Sequence, residues 1–117
     1  MSTNYYLQTE AQSAAGEDGM HLGLSAAGIF MFQAHLENGI ISLQTLLEYL
    51  RSAKGRIISE YKEPLTVDEF ASFVADRRKP DMAQFRNSPV VTDRKAIREG
   101  MRFCDAEGYL FYNYEFS

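Results

Sequence analysis

The sequence predicts an α+β fold: a mostly antiparallel sheet of about five strands with two to three helices packed on one side. Three observations carry that expectation. Aromatic-rich extended segments and amphipathic segments follow in the order strand, strand, helix, strand, helix, short helix, strand, strand, without strict βαβ alternation. The 117 residues, 45% apolar and 24% charged, have a globular balance, and folding buries about two thirds of the extended chain's surface. No repeat, low-complexity tract or linker divides the chain, so residues 1–117 read as one domain.

Asn4–Gln8 carries the aromatics of a short strand. Residues 9–20 are small, polar and glycine-containing, which predicts a mobile loop. Gly28–His35 is a second strand, with Phe30, Phe32 and Ala34 on one face and Ile29, Met31 and Gln33 on the other. Apolar groups on both faces suit a central strand. Ser42 opens a helix to about Ser52, in which Leu43, Leu46, Leu47 and Leu50 form one buried stripe. Gly55–Tyr61 reads as a third strand. Thr66-Val-Asp-Glu69 is a capping box, opening a helix with Phe70, Phe73 and Val74 inward that ends near Arg78. Residues 79–92 have little periodicity and two prolines, and read as loop. Asp93 can cap a short helix through Glu99. Met101–Cys104 and Tyr109–Phe116 then form strands around the turn Asp105–Gly108.

Charge is unevenly distributed. Arg77–Arg102 holds eight basic residues against three acids, a local +5, within a chain of net charge −4, which leaves −9 for the remainder. Such bipolarity orients encounters with charged partners. Cys104 is the single cysteine, which excludes an internal disulfide and a multi-cysteine zinc site. The apolar runs are too short to span a bilayer, and Met1–Leu7 lacks the basic start and apolar stretch of a signal peptide. A cytoplasmic protein without a membrane role is expected.

His21-Leu-Gly-Leu-Ser-Ala-Ala-Gly28, Ile58-Ser-Glu-Tyr61 leading into Leu65-Thr-Val-Asp-Glu-Phe70, and the ending Glu107-Gly-Tyr-Leu-Phe…Glu115-Phe-Ser117 occur in that order. Together they resemble the segments of a family of small, uncharacterised phage and prophage proteins. That family's first segment reads His-Ile-Gly-Lys-Ser-Ser-Ala-Gly. Leu24 and Ala26 replace its lysine and second serine, and the cysteine pair that often precedes it is missing. The resemblance implies a mobile-element origin and action inside a host cell.

Candidate chemistry is sparse. His21 and His35 are fourteen residues apart, without ligand spacing, and a structural or surface histidine is the better reading for each. There is no Gly-x-Ser-x-Gly, His-Glu-x-x-His or Walker motif. Gly23–Gly28 lacks the lysine of a phosphate loop and leads into a strand. Cys104 reads as a buried or half-buried thiol. Neither a catalytic residue, a metal ligand nor a cofactor is therefore assigned.

Two functional readings follow. In the first, the protein is a non-enzymatic inhibitor of a host protein, of the anti-CRISPR or other counter-defence kind. Its acids would dock onto a basic surface, such as that of a nucleic-acid-binding defence complex. Asp68 and Glu69 are explained by the helix dipole, which leaves Glu10, Glu17, Asp18, Glu60 and Glu63 as the candidate binding set. In the second, a phage regulatory protein binds nucleic acid through Arg77, Arg78, Lys79, Arg94, Lys95 and Arg98, with the Tyr-rich segments as stacking platforms. The sequence pI of about 5.1 weighs against that reading. A sheet edge, with the terminal Tyr-rich strand as candidate, could pair two copies across a two-fold axis.

Overall fold

The alternation in the aromatic segments sorts side chains between the two faces of a single sheet. The computed structural model describes residues 2–79, 88–114 and 116. Seven strands, β1 (Ser2–Gln8), β2 (Met20–Ala26), β3 (Ile29–Gln33), β4 (Arg56–Ser59), β5 (Pro64–Leu65), β6 (Arg102–Cys104) and β7 (Leu110–Tyr112), lie in the order β5-β4-β1-β2-β3-β7-β6. Neighbours are antiparallel except β3 and β7, which run parallel. The helices are α1 (Glu10–Ala14), α2 (Leu43–Ser52) and α3 (Val67–Asp76).

One sheet face is the core. Leu7, Leu22, Phe30, Phe32, Ile57, Phe103 and Phe111 join Leu43, Leu46 and Leu50 of α2 and Phe70 and Val74 of α3 in one buried cluster. Phe32, Phe111 and Phe103 stack across three adjacent strands at centroid distances of 4.9 and 5.5 Å. Both helices begin on capping boxes, Ser42 with Thr45 and Thr66 with Glu69. Each N-cap hydroxyl accepts from an amide that the first turn leaves unpaired.

The sheet has more strands than the five expected. β2 was hidden because Gly23 and small residues give Met20–Ala26 little intrinsic strand preference. Pairing with β1 and β3 supplies what the local sequence lacks. Gly23 is needed there: a Cβ would stand 2.3 Å from Phe30 Cε1 and 2.4 Å from the Met31 carbonyl oxygen. Ala27 and Gly28, at φ 53° and 79°, make the two-residue turn into β3. β5 is only two residues long and is held by pairing with β4.

Other boundaries shift as well. The expected mobile loop 9–20 contains α1, started by the reciprocal pair Thr9 and Gln12. α1 buries no residue, so no apolar stripe announces it. The expected helix after Asp93 is a single 3₁₀ turn, Arg94–Ala96. Of the expected loop 79–92, residues 80–87 lie outside the described residues, and Val90 bridges to Cys104. The Tyr-rich last strand ends at Tyr112 and lies inside the sheet between β3 and β6, so it is not an edge. The edges are β5, which carries Pro64, and β6, whose Cys104 amide donates to the Pro89 carbonyl.

Candidate functional site

The face opposite the core carries the chemistry. Tyr5 and Leu7 point into the core, so alternation turns Asn4 and Tyr6 the other way. The register of β1 and β2 shifts between Tyr5 and Tyr6, which places Tyr6 opposite His21 and leaves Leu22 in the core. The Tyr6 and His21 rings are 5.4 Å apart, and the edge of Phe116 meets His21 at 5.0 Å. Phe116 also lies 4.7 Å from Tyr112. Phe116 therefore lies over this face.

His21 sits between two side-chain amides. Its Nε2 is 2.8 Å from Asn4 Oδ1 and its Nδ1 3.2 Å from Gln33 Oε1. The Gln33 NH₂ group donates to the Tyr114 carbonyl at 2.8 Å, and the Asn4 NH₂ group faces Glu60 Oε1 at 3.4 Å. Both amide oxygens are thereby turned toward the imidazole. His35 donates from Nε2 to the His21 carbonyl at 2.7 Å, and its Nδ1 lies 3.8 Å from Glu37 Oε1. His21 on β2 and His35, two residues beyond the end of β3, thus meet, yet each is held by amides, a carbonyl or an exposed acid. Among the described residues, no three His, Cys, Asp or Glu side chains gather to hold a metal ion.

The candidate acids separate into groups. Glu60 accepts from the Asn4 backbone amide at 2.6 Å, and Asp18 pairs with Lys62 Nζ at 3.4 Å. Burial raises the Tyr6 hydroxyl pKa above its ordinary value, and the charges of Asp18 and Glu60 add to that rise. Glu63 acts instead on Tyr5, whose pKa burial raises, Arg77 lowers and Glu63 raises again. Glu10 opens α1 and lines a separate groove of about 880 Å³ with Lys54 and Arg56. Glu17 is exposed, and its carbonyl accepts from the buried Gln8 side chain at 2.8 Å.

The basic set divides too. Arg78 donates from its backbone to the Gly28 carbonyl at 2.7 Å and from its guanidinium to the Ala27 carbonyl at 3.1 Å, clasping the β2–β3 turn. Arg77 lies over the Phe73 ring at 5.3 Å and Lys79 over Tyr109 at 5.0 Å. Arg94, Lys95 and Arg98 are exposed on and after the 3₁₀ turn. The six are therefore not a uniform solvent-facing stripe.

Cys104 is fully buried on β6, and burial, then the Asp105 charge, pushes its thiol pKa up. This is the opposite of what a nucleophilic thiolate requires. Asn4, Gln33, Tyr114 and Phe116 were not legible as site residues, because their meeting depends on β2. The one available signal was the alternation of Asn4 and Tyr6 against Tyr5 and Leu7. No protein-family model, curated protein or solved structure matches the chain.

Proposed function

We propose that this chain is a non-enzymatic binding protein of phage or prophage origin that docks on a basic surface of a host protein and inhibits it. The counter-defence, anti-CRISPR-like role is the form of that activity we favour. The observation that supports it is the sheet face around Tyr6, where the Tyr6, His21 and Phe116 rings meet and the Glu60 carboxylate is held on the neighbouring Asn4 amide. An aromatic centre with an acidic rim is the composition of a docking surface for a cationic partner. Acids at its rim accelerate encounter and reject wrong partners more than they add affinity.

The test is capture from host lysate by the tagged full chain, followed by activity measurements on the captured protein. Asp18 is well exposed, with 62% of its side chain in solvent, so Asp18→Lys leaves the fold intact. We expect capture to weaken in Asp18→Lys, to fall further when Glu60→Lys is added, and to persist in Glu10→Lys. Circular dichroism verifies the fold of the double variant. The wild-type chain should lower the captured protein's activity in proportion to occupancy. Capture of nothing, capture indifferent to these reversals, or capture abolished by nuclease would overturn the proposal, the last in favour of nucleic-acid binding through Arg94, Lys95 and Arg98.

A further inference from the structure

A line of polar contacts crosses the outer face of the sheet at right angles to its strands, with His21 at the middle. The Asn4 NH₂ donates toward Glu60 Oε1 at 3.4 Å, and the Gln33 NH₂ donates to the Tyr114 carbonyl at 2.8 Å. Their oxygens meet the imidazole from opposite sides, Asn4 Oδ1 at 2.8 Å from Nε2 and Gln33 Oε1 at 3.2 Å from Nδ1. An amide oxygen only accepts, and a neutral imidazole has one N–H to give. Turning an amide over brings no relief. Gln33 would set its oxygen against the Tyr114 carbonyl, and Asn4 would set its oxygen toward the Glu60 carboxylate. That carboxylate is itself held in place by the Asn4 backbone amide at 2.6 Å. Imidazolium, with an N–H on each side, satisfies both oxygens at once.

We propose that this geometry holds His21 as the imidazolium, so that the outer face carries a proton-operated clasp joining β1, β2, β3 and the chain at Tyr114. The clasp needs no partner and stands apart from the docking proposal. Among the described residues, several titratable or charged groups surround it. β1 brings the Tyr6 phenol, on which Glu60 and Asp18 both act, and Asp18 is paired with Lys62. His35 donates to the His21 carbonyl and has Glu37 beside its other nitrogen, while Arg102 acts on the Tyr114 hydroxyl. Glu60, coupled to the ring through Asn4, favours the charged form, as do the two accepting oxygens, and partial burial opposes it. Without the proton one N–H remains, and the longer bond, Nδ1 to Gln33, is the one given up. The folded chain then holds its proton to higher pH than the unfolded chain does. The clasp contributes its full stability below the ordinary histidine value of about 6.5 and loses it as pH rises through the folded midpoint.

The test follows the His21 ring nitrogens by long-range proton–nitrogen NMR in the isotope-labelled full chain, from about pH 5 to about pH 9. His21→Phe identifies the His21 signals and separates them from those of His35. Both His21 nitrogens should carry protons at about pH 7, where an unperturbed histidine is mostly neutral. Gln33→Met and, separately, Asn4→Leu each remove one accepting oxygen. Each should lower the His21 midpoint by about one pH unit, a roughly tenfold loss of proton affinity. In urea denaturation the advantage of wild type over His21→Phe should shrink as pH rises past about 6.5, whereas a purely structural histidine would give a constant difference. The wild-type spectra need no variant, so a Gln33→Met chain that fails to fold leaves the test intact. Three results would overturn the proposal: a ring with one bare nitrogen at about pH 7, a midpoint unmoved in both amide variants, or a wild-type advantage indifferent to pH.

Discussion

Asp105 is 2% exposed, and each of its oxygens is used. Oδ2 accepts from the Leu43 amide at the start of α2 (2.9 Å), while Oδ1 accepts from Glu107 (3.0 Å) and Tyr109 (2.9 Å) in the β6–β7 turn. One carboxylate therefore joins a helix start to a hairpin sixty-two residues away. Buried charge is costly unless hydrogen-bonded, and here the bonds come from amides that would otherwise lack partners. Asp105→Ala should lower unfolding stability by about 2–4 kcal/mol, read by urea denaturation. A change below about 0.5 kcal/mol, the range of ordinary surface substitutions, would contradict this role. The sequence showed Asp105 only as the first residue of a turn. Its second partner is invisible without the packing of α2 against β6.

At the scale of elements, the β2–β3 hairpin is where local preference and observed structure disagree. Ala27 holds a positive φ that L residues adopt at a cost, and the Arg78 side chain and backbone grip the two turn carbonyls. The turn residue that suits this geometry before glycine is asparagine. Ala27→Asn should therefore stabilise the chain by about 0.5–1 kcal/mol, measured as an upward shift in the denaturation midpoint. A loss of stability would mean that the turn conformation is other than described. The two capping boxes at Ser42 and Thr66 formed where the sequence placed helix starts, because their partners are three residues away. The same rule applied to Thr9 and Gln12 would have located α1 within the expected loop.

For the whole molecule, one buried thiol and four phenols whose pKa values folding raises set the alkaline limit of stability. The Cys104 thiol and the Tyr5, Tyr6, Tyr109 and Tyr114 hydroxyls all have pKa values raised above the ordinary 9.0 and 10.0, with burial the largest cause in each. The folded chain keeps these protons to higher pH than the unfolded chain does. Below pH 9.0 both states are protonated and these groups leave stability unchanged. As pH rises past 9.0 and then 10.0, the unfolded state loses protons first, so stability falls through the raised folded values. Urea midpoints should be level on this account up to about pH 9 and decline above it. Cys104→Ser should delay the start of that decline, and a midpoint rising between pH 9 and 10 would refute the assignment.

Local spacing encodes what depends on neighbours a few residues apart: five of the seven strands, the leucine and phenylalanine stripes of α2 and α3, their caps, and the relative order of those elements. The sheet's length, the β3–β7 parallel pairing and the meeting of Asn4, His21, Gln33, His35 and Phe116 were decided only in three dimensions. β2 shows why. A glycine-containing segment of weak intrinsic preference becomes a strand because two neighbours supply hydrogen bonds and Phe30 fills the space over Gly23. The site is built on that strand, so its geometry follows from long-range pairing energies that no local spacing encodes.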